Sequence, residues 1–155
     1  MNISFDLDST LIPNGIEFET EKRSRLAKLL GIEEIRKGTP ELMSELKNEG
    51  HNIHIYTTSF RIKRKIRRTF KYYGITVDRV VNQTENQLLL SSKKINASKF
   101  PPVFGFDVHI DDSIGVGIES ENHNFKAIII EPNDKNWTKT IRKELNTLRN
   151  DAFKI

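Results

Sequence analysis

Apolar residues along the chain follow two rhythms, short dense runs and stripes of helical period, and the two alternate. Ile3 and Phe5 are the apolar members of a strand-like run over Asn2–Asp6 that breaks at Asp6. Glu19–Leu30 is predicted as a helix, with Leu26, Leu29 and Leu30 on its inner side and Gly31 after the last turn. Pro40–Asn48 is predicted as a second helix, with Thr39 as candidate cap and Leu42, Met43 and Leu46 facing inward. Strand signals follow at Asn52–Thr57, Val77–Val81, Phe104–Ile110 and Lys126–Glu131. Between the first two of these, Ile62, Ile66, Phe70 and Tyr73 mark a helix over Phe60–Tyr73. Trp137, Ile141, Leu145 and Leu148 mark a last one over Asn136–Leu148.

Strands alternating with helices describe an α/β domain with a mostly parallel, five-stranded sheet. At 155 residues, and with no internal repeat or Pro/Gly/Ser-rich linker, one domain over 1–155 is expected. In such sheets ligands bind beyond the carboxyl ends of the strands, so the polar residues there carry the functional question.

Composition narrows the answer. A chain that is 36% hydrophobic and 30% charged, with a formal net charge of +4, is neither disordered nor fibrous. It has no cysteine, which excludes disulfide scaffolds, thiolate metal sites and Cys nucleophiles. No apolar segment approaches the roughly 18 residues of a membrane span, and no signal peptide is visible, so a cytoplasmic protein with no membrane partner is expected.

Four of the eight aspartates fall in two pairs, Asp6 with Asp8 after the first strand and Asp111 with Asp112 after the fourth. If the pairs converge, their like charges need compensation. A hard divalent cation with oxygen ligands supplies it, and Mg²⁺ suits a site with few carboxylates. Such an ion also neutralises phosphoryl oxygens, so phosphate chemistry follows. Thr57 ends the second strand, where a hydroxyl and backbone N–H groups can meet an anion. Lys99, twelve residues ahead of Asp111, can bring a cation to the same edge.

With these residues in view, the sequence resembles the haloacid dehalogenase-like (HAD) superfamily. Ile3-Ser4-Phe5-Asp6-Leu7-Asp8-Ser9-Thr10-Leu11 resembles its first motif, an apolar strand followed by Asp-x-Asp-x-Thr. Ile53-His54-Ile55-Tyr56-Thr57 resembles the second motif, and Val108-His109-Ile110-Asp111-Asp112-Ser113 the fourth. Lys99 is the best match to the third-motif lysine, with Lys93 and Lys94 as competitors.

The resemblance implies a three-layer α/β/α Rossmann-like domain and a Mg²⁺-dependent phosphatase. Asp6 would be the nucleophile that forms an aspartyl-phosphate, and Asp8 the general acid and then base. Mg²⁺ would be held by Asp6, the Asp8 backbone carbonyl and Asp112, with Asp111 in support. Thr57 and Lys99 would hold phosphoryl oxygens, and Thr58 and Arg61, just past the second motif, would contact substrate. Asp at position 8 favours hydrolysis of a phosphate ester, because an oxygen leaving group needs a proton. A phosphate-receiver or binding module is the alternative from another class. The absence of Asp after Val77–Val81 counts against it.

The 48 residues between Asp8 and Thr57, and the 53 from Thr58 to Ile110, are used up by elements and links. A large cap domain is therefore not expected, only a small flap over 12–18. Seven basic residues crowd into Arg61–Lys71. A solvated helix face is the preferred reading of that run, with a nucleic-acid partner left open. His54 and His109 are expected as core or sheet-face residues. The partner that the resemblance implies is a phosphorylated substrate, small or macromolecular.

Overall fold

The computed structural model describes residues 1–152. Five strands form one sheet: β1 (Asn2–Phe5), β2 (Asn52–Tyr56), β3 (Arg79–Val81), β4 (Val108–Asp111) and β5 (Ala127–Ile129). All neighbours run parallel, in the order β3-β2-β1-β4-β5. Receiver-type sheets have the order 2-1-3-4-5, so the strand order separates this chain from them. Among the described residues six helices connect and flank the strands: α1 (Arg25–Leu29), α2 (Thr39–Asn48), α3 (Lys63–Tyr72), α4 (Gln83–Ser92), α5 (Ile114–Asn122) and α6 (Trp137–Ala152). Right-handed crossovers in this strand order place α2 and α3 on one face and α4 and α5 on the other, giving three layers.

The two faces differ in chemistry, because successive strand residues point to opposite sides. Ile3, Phe5, Ile53, Ile55, Val80, Val108, Ile110 and Ile128 share one buried cluster with Leu42, Met43 and Leu46 of α2, Ile66 and Phe70 of α3, and Trp137, Ile141 and Leu145 of α6. The alternate positions are Ser4, His54, Tyr56, Val81, His109 and Asp111, also buried. Tyr56 and Val81 pack there with Phe104 and Phe106, and His54 stacks on Phe106 at 4.7 Å.

The stretch expected as a helix over Glu19–Leu30 is helical only at Arg25–Leu29. Its first part is extended instead, Glu21 N donating to Ile35 O at 2.8 Å and Lys37 N to Glu19 O at 2.9 Å. That pairing uses backbone groups the helix would have needed. Consequently Leu26, Leu29 and Leu30 do not face inward; they are 65%, 85% and 58% exposed, and Ala27 is the buried residue.

Thr39 is the first residue of α2 rather than its cap. Gly38, at φ 88°, precedes the helix, and the Thr39 hydroxyl donates to Arg36 O at 2.6 Å. The helix expected from Phe60 starts at Lys63, which leaves Ile62 outside the core. Phe104 belongs to a 3-10 turn, Pro101–Phe104, and β4 begins at Val108.

The strand-and-stripe pattern predicts neither α4 nor α5. Each buries too little for a stripe: Asn86 and Leu90 in α4, Val116 alone in α5, which also contains Gly115 and Gly117. Asn82 caps α4, accepting the Glu85 N–H at 3.3 Å.

Arg36 pins the site end of the fold. Fully buried, its guanidinium lies 4.5 Å from the Phe18 ring centre and 4.9 Å from that of Trp137. It donates to the carbonyls of Glu131, Pro132 and Asp134 at 2.8–3.2 Å, tying the end of β5 to the loop after β1. Among the described residues no helix is long and apolar enough to cross a membrane.

Candidate active site

β1 and β4 end side by side. Asp6 N donates to Ile110 O at 2.9 Å, so Asp6 and Asp111 leave the sheet as neighbours at its carboxyl edge. One carboxylate oxygen from each of Asp6, Asp111 and Asp112 lies within 4.8 Å of the others. Asp6 of the first pair therefore converges with both members of the second, as the parallel register requires, while Asp8 does not join the cluster.

Lys99 sits between two of these acids, its Nζ 2.7 Å from Asp6 Oδ1 and 2.6 Å from Asp111 Oδ2. All three groups are almost entirely withdrawn from solvent. Burial pushes Asp6 up to about 6, against the pull of the Lys99 ammonium and with the push of Asp111. Burial also disfavours charge on Asp111, but the His109 hydrogen bond and the Lys99 charge outweigh it and hold that carboxyl well below its ordinary range. For Lys99 the burial penalty is overcome by Asp6 and Asp111, which keep the ammonium charged. Burial and Asp111 raise Asp112, while the hydroxyl of Thr10 donates to it at 2.9 Å and works the other way.

A line of buried polar groups runs under the site. His109 Nδ1 lies 2.9 Å from Ser4 Oγ, and its Nε2 lies 3.0 Å from Asp111 Oδ2. Asp111 also accepts the Ser113 N–H at 2.8 Å. Burial lowers His109, opposing the hydrogen bond it makes to Asp111. Lys99 is held by both helices that periodicity missed. Glu119 of α5 accepts the N–H groups of Ser98 and Lys99, and Asn86 of α4 donates to Ser98 O at 2.8 Å. The Tyr56 hydroxyl accepts Phe100 N at 2.9 Å and donates to Asn86.

Asp8 lies at the rim, its side chain half-exposed. Arg61 meets its two oxygens at 2.8 and 2.9 Å. The same guanidinium is anchored by Glu33 through Nε, at 3.0 and 3.1 Å, and by Ser59 Oγ at 2.8 Å. The tight turn after Asp8 has Leu11 N and Ile12 N both donating to Leu7 O, with Ser9 at φ 59°. Ser9 Oγ and Asn14 N both donate to Glu17, which ties residues 12–18 to this turn.

Of the residues expected at the site, Asp6, Asp111, Asp112 and Lys99 are brought together, and Asp8 and Arg61 join at the rim. Thr57 is buried at the end of β2, with its hydroxyl accepting Ser59 N at 3.1 Å. Thr58 is exposed, and its side chain makes no hydrogen bond among the described residues. Lys93 and Lys94 lie exposed past the end of α4, away from this cluster. Residue-by-residue reading gave Ser4, Glu33 and Ser59 no role and His109 no partner. Thr10 was legible only as the last member of the Asp-x-Asp-x-Thr pattern.

The oxygens present fit a hard divalent cation. Asp6 Oδ1 touches the Lys99 ammonium but takes no directed hydrogen bond, leaving a buried carboxylate oxygen with a free lone pair. Together with Asp111 and Asp112 it offers an all-oxygen donor set of the kind Mg²⁺ prefers.

Five parallel strands in this order, flanked by helices in three layers, match a HAD-like Rossmann-type fold. Solved structures agree. One, described as a predicted HAD-like family hydrolase from Porphyromonas gingivalis, matches at a TM-score of 0.52 and 16% identity, over 93% of this chain and 97% of that one. A Pnkp1/Rnl/Hen1 complex matches at 0.53 and 15%, over 83% of this chain and 44% of that one. A Pnkp1/Rnl/Hen1 RNA repair complex matches at 0.52 and 14%, over 83% and 42%. The chain thus spans less than half of the matched chains in those two complexes. No family model and no curated protein matches the sequence.

Proposed function

We propose that the protein is a Mg²⁺-dependent phosphatase that hydrolyses a phosphate monoester through an aspartyl-phosphate at Asp6. The observation that carries this reading is the buried Asp6 carboxylate, paired with Lys99 and set beside Asp111 and Asp112 at the carboxyl edge of the sheet. Asp6, Asp111 and Asp112 would hold the metal, and any share Asp8 has falls to its backbone carbonyl, since its carboxylate is turned to Arg61. Bound there, Mg²⁺ neutralises charge on the phosphoryl oxygens.

In the first step an Asp6 oxygen bonds to phosphorus as the bond to the leaving oxygen breaks, and Asp8 supplies that oxygen with a proton. In the second, Asp8 takes a proton from water as the water oxygen bonds to phosphorus, and the Asp6–phosphorus bond breaks. Lys99 balances the charge of Asp6, while Thr57 and Lys99 offer donors to the phosphoryl oxygens. Arg61, which reaches Asp8 in the free enzyme, is suited to exchange that carboxylate for substrate phosphate.

Hydrolysis of p-nitrophenyl phosphate tests this, with Mg²⁺, with EDTA and with Asp6→Asn. Turnover that needs both the metal and Asp6 supports the reading, and turnover that survives either loss overturns it.

A further inference from the structure

The surface beside the site carries more positive charge than the fold neutralises. Residues 59–74 contain seven Lys and Arg and no Asp or Glu. Arg61 is compensated by Asp8 and Glu33, Lys63 by Glu85, and Lys65 by Glu33. Arg64, Arg67, Arg68 and Lys71 are exposed and have no carboxylate at ion-pair distance among the described residues. Their spacing of i, i+3, i+4 and i+7 puts them on one face of α3. Arg67 and Arg68 donate to the carbonyls of Val77 and Leu30, which fixes the guanidiniums without cancelling their charge.

This row starts at the mouth of the site. β2 leads into Thr57, Arg61 reaches back to Asp8, and α3 begins two residues later. The row then recedes by about 5.4 Å per helical turn. On either side of Arg61, Phe60 and Ile62 are 68% and 62% exposed, so an aromatic ring lies open at the mouth.

We infer that the substrate of this site is the phosphorylated end of a single-stranded nucleic acid, its following phosphates running along Arg64, Arg67, Arg68 and Lys71. The inference rests on the phosphatase reading above. Asp6 is buried, so a terminal monoester reaches it and an internal diester, with chain on both sides, does not. Phe60 offers a face on which an unpaired base can stack, whereas a paired base has no free face to give. Repeated uncompensated cations match a regular polyanion better than a peptide that bears a single phosphate.

Binding is measured by fluorescence anisotropy on Asp6→Asn, with ten-nucleotide single strands phosphorylated at either end, a mononucleotide, and phosphatidylserine vesicles. The oligonucleotide is expected to bind at least about tenfold tighter than the mononucleotide. Four phosphate contacts give a slope of about −3 for log affinity against log salt, at about −0.7 per contact on single strands. The Arg64 and Lys71 side chains make no hydrogen bond among the described residues, so Arg64→Gln with Lys71→Gln leaves the fold intact. That pair of changes is expected to weaken binding about tenfold and to flatten the slope by about 1.4. Phe60→Ala is expected to weaken it about tenfold as well.

A slope near zero, equal affinity for mononucleotide and oligonucleotide, or unchanged binding in the double variant overturns the proposal. Binding to vesicles without binding to the oligonucleotide overturns it too and assigns the face to a membrane surface, for which the exposed Leu26, Leu29 and Leu30 would also serve. Salt-dependent oligonucleotide binding by a protein that hydrolyses no p-nitrophenyl phosphate supports the nucleic-acid face while overturning the phosphatase reading alone.

Discussion

The two faces of the sheet are equally buried and built on opposite principles. One packs Ile, Val and Phe from all five strands against α2, α3 and α6, and its stability comes from apolar surface removed from water. The other buries Ser4, His109, Asp111 and, just beyond the sheet, Asp6 and Lys99. There each charge is tolerable only because its neighbour is in place, and removing one partner of a buried pair costs more than the pair contributes. Alternation along single strands thus separates holding the fold from holding the chemistry, within a few ångströms.

Substitutions can break this contrast from either side. The largest effect is expected at Asp6. Asp6→Asn removes the proposed nucleophile and should lower turnover of p-nitrophenyl phosphate by at least about 10³-fold, about 4 kcal/mol in the barrier. Its melting temperature should move by only a few degrees, because size is kept and Lys99 retains Asp111 as its charged partner. Phe70→Ala, on the apolar face, should do the reverse. A loss of about 3–5 kcal/mol in denaturant unfolding is expected, with turnover per folded molecule unchanged in the cold.

His109→Phe sharpens the comparison, since it affects both properties. Asp111 loses one buried donor, at about 1–3 kcal/mol of stability, and turnover falls through misplacement of Lys99. Loss of stability with turnover per folded molecule intact would make His109 purely structural.

The smallest effect lies at the opposite edge. Burial would raise Asp78, but hydrogen bonds from Lys47 and from the Ile53 N–H hold it below its usual value of 3.8. Its contribution is present above that pH and is lost as pH falls through its folded value. The stability gap between wild type and Asp78→Asn should therefore be widest near neutrality and close in acid, by urea titration at a series of pH values. Asp6, pushed the other way to about 6, shows how differently the two edges treat a carboxylate.

Much of the apolar face was legible beforehand. Leu42, Met43, Leu46, Ile66, Phe70, Trp137, Ile141 and Leu145 lie at helical spacing and are buried as that spacing predicts. The exceptions obey the same physics. Leu26, Leu29 and Leu30 keep the period but face solvent, because the chain before them pairs with residues 35–37 and leaves a helix of five residues. On the polar face the aspartates stood out because acids directly follow apolar runs. Their partners did not, since α4 and α5 bury almost no apolar stripe, and Asn86 and Glu119 act by hydrogen bonds to Ser98 and, from Glu119, to the Lys99 N–H.

By itself the sequence determined the strand cores, the apolar helix faces and the acids at two strand ends, because burial periodicity and strand termination are local properties. Only the tertiary structure decided that β1 and β4 are neighbours, that Lys99 rather than Lys93 or Lys94 lies between Asp6 and Asp111, that Arg61 is shared by Asp8 and Glu33, and which cations of α3 go unpaired. Those outcomes depend on register and on contacts between residues far apart in sequence, where charges meet over a few ångströms and no local pattern specifies the partner.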